Sequence, residues 1–242
     1  RYHLKNREIA ILYRTNAQSR IFEEQLRRLN IPYKGFGGMS FYQRKEIKDF
    51  LAYLRLIINI KDNEAFKRII NYPKRGIGDS TVDKFIAFAA ANDCSLWEAT
   101  NHFDLSPRTA QSIKQFKLQI DEVRQFAGKS DAYNTANYAF KLSGLSTELK
   151  QDMTNEGIQR LENVMSMLDG IKSFTEQDEL DESESSDRSL AAYLHSISLI
   201  TELDEADPES DYVHLMSVHS AKGLEFNAVI VAGLEENLFP SY

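Results

Sequence analysis

Strand-like segments lie at both ends of this sequence, and a long stretch with the periodicity of helices separates them. Residues 9–13 and 33–36 form the first pair of candidate strands, and residues 213–218 and 228–232 form the second. Short apolar runs with polar flanks are typical of buried strands in a parallel sheet, and strand–helix–strand order is typical of an α/β layer. We therefore expect one discontinuous α/β domain, interrupted by an all-α domain.

A helix is predicted between the first two strands. It begins at Ser19 and ends before Pro32, with acidic residues in its first turn. We expect its apolar stripe to face the core, and that stripe consists of Ile21, Phe22, Leu26 and Leu29.

Helical periodicity dominates residues 43–175 and returns in residues 189–203. The clearest apolar stripe, with spacings of three and four, is Ala110, Ile113, Phe116, Ile120, Val123 and Phe126. Breaks at prolines and glycines predict five or six helices before residue 175. We place residues 1–50 and 205–242 in the α/β domain and residues 51–204 in the α-helical domain.

Residues 176–188 contain seven acidic residues, one basic residue and one apolar residue. Such a segment buries too little apolar surface to offset its chain entropy, so we predict a mobile loop. A functional acidic tail is the alternative.

Charge is unevenly distributed along the chain. Residues 1–80 contain 17 lysines and arginines against 8 acidic residues, whereas residues 81–242 contain 12 against 28. Because phosphate binding depends on where charge lies, the first third could bind a polyanion although the net charge is −7. A solvated surface with uneven charge is the alternative.

Composition excludes several other classes of protein. The single cysteine, Cys94, excludes an internal disulfide and a cysteine-cluster zinc site. No apolar run reaches the roughly 18 residues that a membrane span needs, and the first five residues do not resemble a signal peptide. We predict a soluble, cytoplasmic protein without membrane contact.

Several catalytic motifs are absent from the sequence. We find no G-x-x-x-x-G-K-[ST] phosphate loop, no H-E-x-x-H and no G-x-S-x-G, and we predict no metal site. Residues 35–38 are glycine-rich but lack the spacing of a dinucleotide site, so we interpret them as a turn. No complete catalytic site is evident.

Residues 74–81 combine two bases, Lys74 and Arg75, with a Gly-x-Gly turn and a helix start. Glycines permit close approach of the backbone to a phosphate, and the amides of a helix N-terminus attract anions. A turn of this kind could grip duplex backbone without reading sequence, although the local pattern alone favours the alternative. An ordinary connection between two helices is the alternative.

Two polar loops follow predicted strands, where open α/β sheets bind ligands. In the first loop, Arg14 and Asn16 could donate to phosphate or sugar oxygens, with a capped turn as the alternative. In the second, His219, Lys222 and Glu225 lie between two strands, with a structural His–Glu pair as the alternative.

The second loop also carries a resemblance to a known family. Residues 218–226, Val-His-Ser-Ala-Lys-Gly-Leu-Glu-Phe, resemble motif V of the UvrD/Rep/PcrA-like superfamily-1 DNA helicases. Segments that resemble the same family in the same order are residues 13–20, 37–49, 74–81 and 233–240. The resemblance covers essentially the whole chain.

The resemblance implies a partial RecA-like, parallel-sheet motor domain, the second of two, with its helical insertion. The parent would be an ATP-dependent DNA helicase, with 3′–5′ polarity, that uses ATP and Mg²⁺. Its partners would be single-stranded DNA, the junction with duplex, the first motor domain of the same polypeptide, and repair or replication proteins. Because the resemblance places the phosphate loop, the metal-binding motif and the γ-phosphate arginine elsewhere, we expect this chain alone to bind no cofactor and to be inactive.

The resemblance also implies roles for individual residues. The single-strand contacts would be Arg14, Asn16, His219 and Lys222, and the ribose of ATP would meet Glu225 beside Gly223. The duplex contacts would be Lys74, Arg75, Gly76, Ile77, Gly78 and Thr81. Ser40 departs from the family, since many relatives carry a basic residue there, and so one single-strand contact is in doubt.

Two alternative functions remain open at this point. The chain could come from a helicase–nuclease, or it could be a non-catalytic interaction module that kept the fold.

Overall fold

A computed structural model describes residues 4–36, 40–176, 187–202 and 211–234. The strands are β1 (Ile9–Tyr13), β2 (Tyr33–Phe36), β3 (Val213–Ser217) and β4 (Ala228–Val231). The helices are α1 (Ser19–Arg28), α2 (Lys45–Ile58), α3 (Asn63–Ile69), α4 (Asp79–Asn92), α5 (Leu96–Ala99), α6 (Pro107–Ala127), α7 (Ala132–Leu142), α8 (Leu145–Gln151), α9 (Asn155–Glu176) and α10 (Leu190–Glu202).

The two ends of the chain form one sheet, which confirms the discontinuous α/β fold expected from the sequence. The strand order is β2-β3-β1-β4, and every neighbouring pair is parallel. Strand β3 therefore lies between the two N-terminal strands, with Ile11 opposite Leu215. Because parallel strands require a crossover connection, the helical region is compatible with this topology as one long crossover.

A small apolar cluster supports the sheet. It contains Ile11, Tyr13, Leu26, Val213 and Leu215. Strand β4 has only one neighbour in the described sheet and leaves most of its side chains exposed.

A larger apolar cluster fills the helical region and extends from Phe41 to Ile197. The middle of the predicted stripe in α6, from Ile113 to Val123, is buried in it. Residues 43–175 contain eight described helices, from α2 to α9, instead of five or six. The excess is due to short helices such as α5, which begins with a capping box between Ser95 and Glu98. The domain boundary predicted near residue 50 falls within α2, whose apolar face joins this cluster.

Helix α1 begins at Ser19 as predicted, but only half of the predicted apolar stripe faces the core: Phe22 and Leu26 pack in the apolar cluster of the sheet, and the other two residues do not. Ile21 is 52% exposed and Leu29 is 64% exposed. The helix also buries Arg20, Glu23 and Arg27 together with Leu26, because it packs against polar groups from the helical region.

Three sequence predictions fall partly or wholly outside the described residues. The acidic segment 176–188 is described only at its two ends, Gly37 and Gly38 are not described, and the segment 233–240 is described as far as Leu234. None of the helices in the described ranges combines the length and apolarity that a membrane crossing requires.

Candidate nucleic-acid interface

The loops after β1 and β3 lie side by side at the carboxyl edge of the sheet. The two strands are parallel neighbours, and the backbone N–H of Val218 donates to the carbonyl of Tyr13 at 2.9 Å. Arg14 and His219 are the residues that follow, and both side chains are exposed. The fold therefore brings together two polar loops whose residues Arg14 and His219 lie 205 positions apart in the sequence.

The β1–α1 loop is closed by Gln18. Its Oε1 accepts from the backbone N–H groups of Arg14 and Thr15, at 3.0 Å each. Gly233 packs against Gln18, and a Cβ at that glycine would overlap the Gln18 amide. Asn16 begins the 3₁₀ turn in this loop. The sequence analysis gave Gln18 no role. Its position within residues 13–20, which resemble a helicase segment, could have indicated one.

The β3–β4 loop is a compact turn with an exposed polar rim. Ser217 Oγ accepts from the backbone N–H of Ser220 at 3.1 Å, and the two serine hydroxyls are 2.8 Å apart. The side chains of His219, Lys222 and Glu225 are exposed. Exposure of both the histidine and the glutamate leaves these groups accessible to a ligand.

Gly223 has φ +84°, and apart from Gly223 itself and its two chain neighbours no atom lies within 4 Å of the position where its Cβ would be. We predict that Gly223→Ala destabilises the protein by about 1 kcal/mol through backbone strain alone. Gly35→Ala is the matched control, because its Cβ also meets open space but its φ is not positive. Since Gly35 lies in a strand, that change should stabilise by about 0.5 kcal/mol. Urea unfolding of both variants checks the prediction, and equal shifts would contradict it.

Buried polar groups lie behind the β1–α1 loop. Glu23 accepts from the backbone N–H of Phe41 at 3.0 Å, and burial raises the pKa of this carboxyl. Arg44 donates to Ser19 Oγ at 2.8 Å and to Asn163 Oδ1 at 2.9 Å, and burial lowers its pKa. Burial also raises the pKa of Tyr13 to about 12. Buried hydrogen bonds to residues of the helical region thus support the carboxyl edge of the sheet.

The second candidate surface is the α3–α4 connection. Its two basic residues, Lys74 and Arg75, differ in environment. Lys74 is exposed. The Arg75 guanidinium is turned inward, where it donates to the carbonyls of Ile69 at 2.9 Å and Pro73 at 3.1 Å and to Tyr53 Oη at 2.5 Å. Arg75 therefore holds the loop together, and the DNA contact proposed for it from the sequence remains a prediction.

The start of α4 leaves backbone amides without a side-chain cap. Gly78 is its N-cap residue, with no side-chain hydrogen bond, whereas Asp62, Ser95, Ser106 and Asp131 cap other helices of the same region.

The turn before α4 has a fixed shape: Gly76 has φ +72°, and Ile77 is fully buried and anchors the turn. Thr81 is partly buried in the first turn of the helix. The arrangement can present N–H donors to an anion, because the first amides of a helix have no intrahelical partners.

Arg108 extends this surface, and sequence reasoning missed it. Its exposed guanidinium lies beside Gly76, with Nε 3.8 Å from the position of a Cβ there. Ser112, one turn further along α6, donates to the carbonyl of Arg75 at 2.9 Å. Because 32 positions separate Gly76 from Arg108, no local pattern could have joined them.

The β3–β4 loop fits only part of a nucleotide. The exposed Glu225 carboxylate can accept a hydrogen bond from a sugar hydroxyl, and the open space above Gly223 permits close approach. A triphosphate with Mg²⁺ needs metal ligands as well. Across the described ranges, no three His, Cys, Asp or Glu side chains are grouped to hold a metal ion.

Comparison with known proteins gives consistent matches along the chain. The family model of the UvrD-like helicase C-terminal domain matches residues 2–242. DNA helicase II of Escherichia coli strain K12 is 40% identical over 238 residues, which cover 97% of this chain and 32% of that protein. The ATP-dependent DNA helicase PcrA of Staphylococcus aureus strain Mu50 is 41% identical over 239 residues, which cover 98% and 32%. The chain thus spans about a third of the length of these curated relatives.

Proposed function

This chain belongs to the UvrD-like helicase C-terminal domain family, and from that we propose that it is the second motor domain, with its helical insertion, of an ATP-dependent DNA helicase. The observation that carries the proposal is the pair of adjacent polar loops at the carboxyl edge of a parallel sheet. These loops hold the residues that resemble the helicase motifs, and open α/β sheets bind ligands at this edge.

We assign the single-strand contacts to Arg14, Asn16, His219 and Lys222. Arginine, lysine and histidine donate to phosphate oxygens, which are the same at every nucleotide. Contacts of this kind suit a protein that must move along any sequence. A 3′–5′ direction of movement is part of the proposal.

We assign the duplex contacts to Lys74, the backbone amides of Gly76 and Gly78, Thr81 and Arg108. Lys74 and Arg108 supply exposed charge on the two sides of the glycine turn, while the buried Ile77 fixes its shape. Arg75 is assigned to holding this turn in place through its internal hydrogen bonds.

We assign Glu225 to a hydroxyl of the ATP ribose, beside Gly223. ATP with Mg²⁺ would supply the free energy for movement in the longer protein, together with a first motor domain of the same polypeptide. The chain alone is proposed to bind no nucleotide and to hydrolyse none. Repair or replication proteins as further partners, and a cytoplasmic location, remain predictions.

The single-strand assignment is tested by charge reversal of Arg14. Binding of the chain to a single-stranded oligonucleotide, titrated across salt, should weaken about tenfold at low salt in Arg14→Glu, with a shallower salt dependence. Arg28→Glu is the matched control, because Arg28 is also exposed but lies at the other end of α1. Equal effects of the two reversals would mean that only net charge matters, which would contradict the assigned site.

A further inference from the structure

Helix α9 of the helical region directly contacts the β1–α1 loop. Ser166 Oγ donates to the carbonyl of Ala17 at 3.2 Å and accepts from Arg20 Nε at 3.2 Å. Ala17 is the middle residue of the 3₁₀ turn from Asn16 to Gln18. One hydroxyl, 149 positions away in sequence, therefore bridges the backbone of this turn and a side chain of α1.

The Arg20 side chain is held on several sides. It is 7% exposed, and Nη1 donates to Glu24 Oε2 at 2.7 Å. Tyr42 Oη donates to the other oxygen of the same carboxylate at 2.6 Å, which fixes that carboxylate in turn. A buried arginine with a charged partner and fixed acceptors has little freedom to rearrange.

Gly170, one turn after Ser166, gives the Arg20 guanidinium its space. A Cβ at position 170 would lie 2.8 Å from Arg20 Cζ and closer still to Nη1. Gly170 lies within a regular helix, and its φ is not in the left-handed region. A glycine is therefore needed here to leave space for Arg20, and not to meet a requirement of backbone conformation.

The contact reaches the proposed single-strand site through two steps. The turn that Ser166 holds ends in Gln18, and the Gln18 side chain accepts from the backbone N–H groups of Arg14 and Thr15. A shift of the turn would move Gln18, and with it the backbone from which the Arg14 side chain projects.

We propose that Ser166 and Gly170 of α9, acting with Arg20, are positioning residues for the single-strand loop. The helical region thereby sets the conformation of a loop that belongs to the sheet domain. The ligand of the loop rests on the proposed function, whereas the positioning itself can be tested without any ligand.

Hydrogen–deuterium exchange of the full chain tests the positioning directly. Ser166→Ala removes both hydrogen bonds, and Gly170→Ala displaces the guanidinium. Either change should raise the exchange rate of the amides of residues 14–18 about threefold to tenfold, the range expected for loss of one or two net hydrogen bonds. Ser166→Thr, which keeps a hydroxyl, should stay near the parent rate.

Ser173→Ala is the matched control. Ser173 lies on the same helix, and its hydroxyl donates to the carbonyl of Asp169 at 3.0 Å, within α9 itself. This variant loses a serine hydroxyl bond from α9 but should leave exchange in residues 14–18 unchanged. Far-UV circular dichroism of all variants checks that the helical region is folded.

Single-strand affinity provides the second readout. Ser166→Ala should weaken binding about threefold to tenfold, and it should add little in an Arg14→Ala background, because both changes act through the same contact.

The two readouts separate failure of this inference from failure of the proposed function. Unchanged exchange in both Ser166→Ala and Gly170→Ala would overturn the positioning role. Raised exchange with unchanged single-strand affinity would uphold the positioning role and overturn the ligand assigned to the loop.

Discussion

Replacing Arg75 with alanine is expected to lower the free energy of unfolding by about 3 kcal/mol, since hydrogen bonds from a charged group contribute about 1.5–3 kcal/mol and acceptors left unpaired add a further cost. The guanidinium donates to the backbone carbonyls of Ile69 at the end of α3, Pro73 in the α3–α4 connection and Ser143, and to Tyr53 Oη. It also lies 4.9 Å from the centre of the Phe116 ring. Its loss would remove the hydrogen bonds that link α2, the α3–α4 connection and the end of α7.

Lys74→Ala is the matched control for this prediction. Lys74 is the preceding residue and also a base, but its side chain is exposed, so its removal should change stability by less than about 0.5 kcal/mol. Urea unfolding monitored by circular dichroism measures both variants. Equal stabilities of the two would show that the internal hydrogen bonds of Arg75 contribute little to the fold.

Charge reversal of Lys74 and Arg108 together is expected to produce the largest change in DNA binding. Affinity for a 3′-tailed duplex should fall on the order of a hundredfold at low salt, and the salt slope should decrease by about two, one for each lost phosphate contact. Affinity for single strand should hardly change, because Arg14 and His219 lie in other loops, at the edge of the sheet.

Lys129→Glu controls for net charge in this experiment. Lys129 is exposed and follows the C-terminus of α6, whereas Arg108 lies at its N-terminus, so about 30 Å of helix separates them. The double variant reverses two charges and Lys129→Glu reverses one. If the double variant lost only twice the junction-binding free energy lost by Lys129→Glu, the assigned duplex surface would be contradicted. Single-strand affinity that falls in parallel with junction affinity would contradict it as well.

Local patterns in the sequence predicted much of the fold. A short apolar run with polar flanks placed β1, and apolar spacings of three and four placed the buried middle of α6, because both patterns are properties of a few consecutive residues. The same reasoning identified the loops after β1 and β3 as polar segments at strand ends. It also placed Lys74 beside a glycine turn and a helix start, as found.

The candidate site was predictable only in part, because several of its contacts join residues that are distant in the sequence. The sequence treated Lys74 and Arg75 as equivalent bases, and the structure separates them, because the acceptors for Arg75 come from residues as distant as Ser143. Arg108 was missed because its proximity to Gly76 depends on how α6 packs. Gln18 was missed because its role depends on hydrogen bonds that a motif does not specify.

The sequence by itself determined where the strands and the longer helices lie, and that both ends contribute to one α/β domain. Only the tertiary structure decided that β3 lies between β1 and β2, and that α1 buries Arg20 and Glu23 in addition to Leu26. The physical reason is that burial of a charged side chain depends on all its partners. Glu24 lies one turn from Arg20 on the same helix, but the Ser166 hydroxyl and the Phe41 amide come from other parts of the chain. Periodicity shows which faces are apolar, but only the fold brings the partners of a polar face to it.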